Sequence, residues 1–384
     1  MKNFVIKKLS CLNIEQELKN IGFDKSYLKH GAEKYNYINF KIFDLTLAQA
    51  NILKQTALTV GADCAVNKNI LTAEVKSSDC ILGGSISQLK KIADKLKSQQ
   101  FSMKNLSEII LSELNRKKEY LPKLVGILNL TPNSFSDGGM YYEYDKAIKH
   151  LEEMIKDGAD IIDIGAESAN PFFSKPVEDS EQLKHILPVL KYIHDNNIDI
   201  PISIDTRSAK VACESINEGA KIINDVSGLE YDEKMIDCIL TNKDVKIVIQ
   251  HSLGTPENMQ VSPSYNNVVD EIWKFLYKKI EILTQQGFKK ENIIIDVGIG
   301  FGKTPENNFE LIKRIEEFQS IGCEIMLGVS RKSFLNMQTE SNDVKDIFTV
   351  AINSLAIERH VDYLRVHNVG LHKKLLTLMK NFNF

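Results

Sequence analysis

From Leu121 to the C-terminus the chain repeats one pattern eight times: a short run of apolar, often β-branched residues, then a longer stretch with helical spacing. The runs are Lys123–Asn129, Ile161–Gly165, Ile202–Asp205, Ile222–Val226, Val245–Gln250, Ile293–Val297, Ile325–Gly328 and Tyr363–His367. Most are continuously apolar, as strands buried on both faces are. Between the first two, Ala147, Ile148, Leu151, Met154 and Ile155 lay a single apolar stripe along a helix. Gly158, Gly219, Gly287 and Gly322 stand where helices must stop before the next strand. Strands alternating with helices imply a parallel sheet. Eight repeats favour a closed TIM (β/α)8 barrel over an open doubly wound sheet, the alternative this pattern leaves.

A barrel of this kind takes about 250 residues, so a chain of 384 residues has room for more. Residues 122–384 are expected to form the barrel, and residues 1–115 an extra small N-terminal α/β domain. In that domain Leu47–Leu58 and Ile86–Leu96 read as helices, and Asp63–Val66 and Cys80–Leu82 as short strands. Gly83-Gly84-Ser85 reads as a turn ahead of a helix, and Arg116-Lys117-Lys118-Glu119 as part of a charged helical linker.

A formal net charge of −3 gives no reason to expect nucleic acid or an anionic membrane as partner. An anionic ligand would need a local cluster of basic groups. The six cysteines are scattered, with no C-x-x-C pair, which argues against a zinc ribbon, a disulfide framework or a dithiol site. Neither a signal-like apolar segment nor a run approaching the roughly 20 residues of a membrane span is present. A cytoplasmic location is the expectation.

Active sites of such barrels lie at the C-terminal ends of the strands. Polar groups fall there on nearly every strand: Asn129, Asp205, Asn224 with Asp225, Gln250 with His251, Asp296, Ser330-Arg331-Lys332, and Arg365 with His367. Any one of them alone reads as a helix cap or a solvated side chain. Their joint occurrence at one mouth points to a site. The basic groups after the seventh and eighth strands suit a phosphate or diphosphate. Asp205, Asn224 and Asp296 suit a flat heterocycle rich in N–H and C=O groups. Asn129 is a neutral oxygen ligand compatible with Mg²⁺. His150 and His251 read as structural or surface groups. Gly302-Lys303-Thr304 lacks the upstream glycine of a phosphate-binding P-loop, and Gly298-Ile299-Gly300-Phe301-Gly302 is not the dinucleotide pattern.

The string Gly126-Ile127-Leu128-Asn129-Leu130-Thr131-Pro132-Asn133-Ser134-Phe135-Ser136-Asp137-Gly138-Gly139 closely resembles the first signature of the dihydropteroate synthase family of pterin-binding barrels. Asp163-Ile164-Gly165-Ala166-Glu167-Ser168, Ser203–Thr206, Ile223–Val226, Asp296–Lys303, Gly328–Lys332 and Arg365–Val369 are similar to further family motifs. The resemblance covers about two thirds of the chain and implies a transferase. It would condense 6-hydroxymethyl-7,8-dihydropterin diphosphate with 4-aminobenzoate, giving dihydropteroate and diphosphate for folate biosynthesis. On that reading Asp205, Asn224 and Asp296 hold the pterin, with Lys332 beside it. Ser330, Arg365 and His367 bind substrate, the last two at the diphosphate, and Asn129 binds Mg²⁺. Thr131–Gly139 would form a lid. Family members are dimers, so a homodimer is expected by analogy.

One loop departs from the family: Ser168-Ala169-Asn170-Pro171 stands where Ser-Thr-Arg-Pro is usual, so Ala169 takes a substrate-contacting position without a hydroxyl. That departure keeps open a pterin-binding paralogue with weak or no synthase activity. A methyltetrahydrofolate-type methyltransferase on the same barrel is a third, lower-ranked reading.

Overall fold

The computed structural model describes residues 5–9, 14–70, 72–116, 121–130, 140–167, 177–253, 263–335 and 341–382. The chain divides into two compact units, Met1–Lys117 and Lys118–Phe384.

The first unit contains α1 (Ile14–Asn20), α2 (Leu28–Ala32), β1 (Tyr37–Thr46), α3 (Leu47–Thr59), β2 (Asp63–Val66), β3 (Ser77–Ser85), α4 (Ile86–Leu96) and α5 (Met103–Asn115). The strands form an antiparallel sheet in the order β1-β3-β2. Its core joins Leu53, Ala57, Leu82, Leu89, Ile92, Leu96 and Ile110, with Ile38, Phe40 and Ile42 of β1 packed against it. Those three β1 residues alternate with polar or exposed neighbours, the period-two pattern of a half-buried strand.

Gly83-Gly84-Ser85 is the end of β3 and not a turn, a correction to the sequence reading. Asn39 pairs with Gly83 and Ile38 with Gly84. A Cβ on Gly83 would come within 2.6 Å of the Tyr37 hydroxyl and 2.7 Å of Asn39 Oδ1. The glycine serves close cross-strand packing. The N-terminus of α4 is closed by its own box, in which Ser85 accepts from the Gln88 amide N–H and Gln88 Oε1 accepts from the Ser85 N–H. In the expected linker, Arg116 is non-helical; Lys117, Lys118 and Glu119 lie outside the described residues.

The second unit runs β4 (Lys123–Asn129), α6 (Met140–Lys156), β5 (Ile161–Gly165), α7 (Asp179–Asp195), β6 (Ile202–Asp205), α8 (Ala209–Asn217), β7 (Ile222–Asp225), α9 (Lys234–Thr241) and β8 (Lys246–Gln250). It continues with α10 (Val268–Gln285), β9 (Ile293–Asp296), α11 (Pro305–Lys313), β10 (Glu324–Leu327), α12 (Asn342–Glu358), β11 (Tyr363–Val366) and α13 (Val369–Met379). The eight strands β4 to β11 close into one parallel barrel in chain order. The expected TIM barrel is therefore the observed fold.

Alternation along each strand builds two cores. Ile162, Ile164, Ile202, Ile204, Ile247 and Ile249 face outward against the helices. Val125, Ile161, Ile222, Val248, Ile294, Met326 and Tyr363 form a separate buried cluster that fills the barrel interior. Burying each such aliphatic side chain contributes about 1.5–3 kcal/mol. At this lower end Lys246 Nζ lies 2.5 Å from Glu324 Oε2, and the Tyr363 hydroxyl donates to the same oxygen at 2.9 Å.

The scattered cysteines do not exclude a disulfide. Cys213 on α8 and Cys238 on α9, 25 positions apart, are joined. Neighbouring helices of the barrel's outer ring bring together residues whose spacing carries no signal.

Candidate active site

Strand register sets the level of each polar group. Asp205 stands beside Asn224 on one side and Gly165 on the other. A Cβ on Gly165 would approach the Asp205 Cβ to 3.3 Å, so the glycine leaves room for the carboxylate. Asp296 stands between Gln250 and Met326. Asn224 and Asp296 are each 3% exposed. The barrel thus places Asp205, Asn224 and Asp296 at the C-terminal ends of β6, β7 and β9, as expected from the alternation.

Burial is the largest influence on the charged groups. It pushes the Asp205 carboxyl up to about 7 against the opposing charge of Arg365. It also raises Asp296, opposed by Lys332 and by the Gly298 N–H, which donates to Asp296 Oδ1 at 2.7 Å. Lys332 is lowered to about 8 by burial, with Asp296 opposing. Its Nζ donates to the Ile299 carbonyl oxygen and lies 4.4 Å from the Phe301 ring centroid.

Arg365 reaches across the barrel. Its Nε donates to Asp163 Oδ2 and its Nη2 to Asp205 Oδ2, both at 2.6 Å. Ser330 Oγ lies 2.9 Å from His367 Nδ1 and accepts from the His367 N–H. Burial lowers His367 to about 3, so its ring is neutral near pH 7. Arg331 does not join this group. Its backbone is left-handed (φ 56°), and its guanidinium makes a two-bond pair with Asp346 of α12 at 2.7 and 2.8 Å. Of the basic run after β10, only Lys332 carries charge into the site.

Asn129 is exposed at the end of β4, beside Gly165. Ala169, with the rest of Ser168–Pro171, lies outside the described residues, as does the Thr131–Gly139 lid. Among the described residues no group of three His, Cys, Asp or Glu side chains could hold a metal.

Sequence reasoning gave no role to Asp163, Lys303 or the Arg207–Glu167 pair. Asp163 is 1% exposed in the middle of β5. Lys303 Nζ, also buried, lies 3.0 Å from His251 Nδ1 and donates to the carbonyls of Phe301 at 2.8 Å and His251 at 3.3 Å. Arg207 holds Glu167 with two bonds, at 2.7 and 3.1 Å, and lies over the Tyr231 ring. A carboxylate among isoleucines on a fully buried strand was the available signal for Asp163.

These features define the class: a (β/α)8 barrel whose acidic and amide groups line one mouth beside a lysine and an arginine. The pterin binding enzyme family profile matches residues 125–367. The chain belongs to the dihydropteroate synthase family, the transferases that make dihydropteroate in folate biosynthesis.

Among solved structures, the barrel is similar to a Clostridium difficile dihydropteroate synthase determined in the presence of pteroic acid. Identity is 36% and the TM-score 0.63, covering 70% of this chain and 98% of that one. A Helicobacter pylori protein named bifunctional dihydropteroate synthase/dihydropteroate reductase is 31% identical, with 98% of both chains covered. A Haloferax volcanii protein, named probable bifunctional folylpolyglutamate synthase/dihydropteroate synthase, is 31% identical over 84% of this chain. The chain spans 40% of that relative's length.

Proposed function

We propose that the barrel condenses 6-hydroxymethyl-7,8-dihydropterin diphosphate with 4-aminobenzoate. The bond from the pterin methylene carbon to the diphosphate oxygen breaks, and the carbon takes the lone pair of the arylamine, which loses a proton. The observation that carries this reading is the convergence of buried Asn224 and Asp296 with half-buried Asp205 and Lys332 on one mouth. Asp205, Asn224 and Asp296 bind the pterin edge, and Lys332 lies beside it. Negative charge at this end stabilises the pterin cation left as diphosphate departs. Arg365, paired with Asp163 and Asp205 in this structure, serves the diphosphate with Ser330 and neutral His367. Ala169 borders the amine substrate in the second loop.

Mg²⁺ is the cofactor of this reading. One amide oxygen, from Asn129, fits an ion that takes few protein oxygens and completes its shell with substrate phosphates and water. When bound, it neutralises charge on the leaving diphosphate.

The full-length match to the Helicobacter protein favours a second activity in residues 1–117: reduction of dihydropteroate. Hydride would add to a ring C=N carbon and a proton to its nitrogen, with a reduced nicotinamide or flavin as donor. A homodimer forms through α12, where Ile347, Phe348 and Leu355 are 62%, 42% and 44% exposed on one helix face. No helix among the described residues is long and apolar enough to cross a membrane.

The test is diphosphate release by purified protein with Mg²⁺ and the pterin diphosphate, with and without 4-aminobenzoate. Release that depends on the amine, with dihydropteroate formed, supports the synthase. Pterin binding without release moves the assignment to an inactive pterin-binding paralogue. Adding a reduced nicotinamide or flavin tests the reductase by its oxidation at the expense of dihydropteroate.

A further inference from the structure

A single carboxylate oxygen bonds both a group assigned to the pterin and a group assigned to the diphosphate. Asp163 lies opposite Ser203 in the register of β5 and β6, one inward-facing layer beneath Gly165 and Asp205. Its Oδ2 accepts from Arg365 Nε at 2.6 Å and from Asn224 Nδ2 at 3.1 Å. Among the described residues Asp163 Oδ1 has no hydrogen-bond partner. All the bonding of this buried carboxylate therefore runs through one oxygen, to one group assigned to the pterin and one assigned to the diphosphate.

The direction of each bond matters. An Asn side chain presents a donor at one end and an acceptor at the other. With Nδ2 committed to Asp163, the Asn224 amide is fixed with Oδ1 at its other end, an acceptor suited to a heterocycle N–H. The reversed amide would set Oδ1 against a carboxylate oxygen, which is repulsive. Arg365 is held at Nε by Asp163 and at Nη2 by Asp205. Two anchors on a planar group fix its plane. A core designed for stability alone would put an apolar side chain here, because a half-satisfied buried carboxylate is expensive.

We infer that Asp163 is a positioning residue that sets the amide orientation of Asn224 and the guanidinium plane of Arg365, and so couples recognition of the heterocycle to recognition of the diphosphate. The inference rests on the function proposed above. Asp163 acts through its two partners without reaching the substrate itself.

The experiment measures binding of 6-hydroxymethylpterin and, separately, of inorganic diphosphate with Mg²⁺ to the full chain. Asp163→Asn should weaken both ligands by about tenfold or more, the scale seen when the partner behind a metal-ligating side chain is lost. Asn224→Ala should weaken the pterin alone. In the Asn224→Ala background, Asp163→Asn should cost nothing further for the pterin yet still weaken diphosphate, a non-additivity that a general loosening of the core would not produce. A folded Asp163→Asn protein that binds both ligands normally, or loses only one, overturns the inference. Should that variant not fold, Asp163→Glu keeps the charge and moves the oxygen by one methylene. The same double loss is expected, and normal affinity for both overturns the inference. Wild-type protein that binds neither ligand would overturn the functional reading itself.

Discussion

Lys303 Nζ lies 3.0 Å from Nδ1 of His251, and both side chains are buried. Burial pushes both below their ordinary ranges, the lysine well below and the histidine to about 2. The amine also bonds the carbonyls of Phe301 and His251, tying the segment after β9 to the end of β8. Gly298 closes the same junction, where any Cβ would overlap the His251 carbonyl oxygen.

Lys303→Met keeps much of the volume and removes these bonds. It should destabilise the protein by about 1–3 kcal/mol through unpaired carbonyls. It should also slow turnover, because Lys332 bonds Ile299 in that segment. Denaturant unfolding and steady-state kinetics read both effects, and wild-type values for each would remove the tie from the site.

The pH profile follows from two groups moved toward each other. Burial pushes Asp205 up to about 7 and Lys332 down to about 8. The proposed reaction uses the first as carboxylate and the second as ammonium, so kcat/KM should rise with pH toward 7 and fall above 8. Lys332→Arg should push the alkaline limb upward. For stability, a raised carboxyl binds more protons in the folded state. The ligand-free protein should therefore lose stability as pH rises from 3.8 toward 7, and Asp205→Asn should flatten that window. A flat rate profile across this range contradicts the assignment.

Asp296→Asn replaces an acceptor with little change in volume. Turnover should fall at least 100-fold, the usual scale for a group facing the reacting charge, while the melting temperature stays near wild type. Lys332→Ala should mainly weaken the pterin diphosphate complex. A folded Asp296→Asn enzyme with near-normal turnover would remove that residue from the pterin site.

Phe348→Glu places a charge on the exposed apolar face of α12, which holds Ile347, Phe348 and Leu355. Sedimentation should report a dimer for the wild type and a monomer for the variant. A monomeric wild type would exclude α12 as a self-association face.

The barrel could be read from the sequence because its strands are continuously apolar and its helices carry single stripes. The same patterning put Asp205, Asn224 and Asp296 at strand ends. Partnership was not legible. Arg331 and Lys332 are adjacent, yet one, on a left-handed backbone, is taken by Asp346 while the other enters the site. Asp163 and Arg365 are 202 positions apart and meet because the barrel closes. The glycines of β3 resembled a turn because cross-strand crowding and chain reversal call for the same residue.

The plug of Val125, Ile161, Ile222, Val248, Ile294, Met326 and Tyr363 has a kinetic consequence. It packs the lower barrel interior, so in the proposed reaction substrates reach the site through the opening at the C-terminal ends of the strands. The diphosphate that departs and the amine that attacks must share that opening with the finished product. Accumulated diphosphate should act as a stopper against the next turnover.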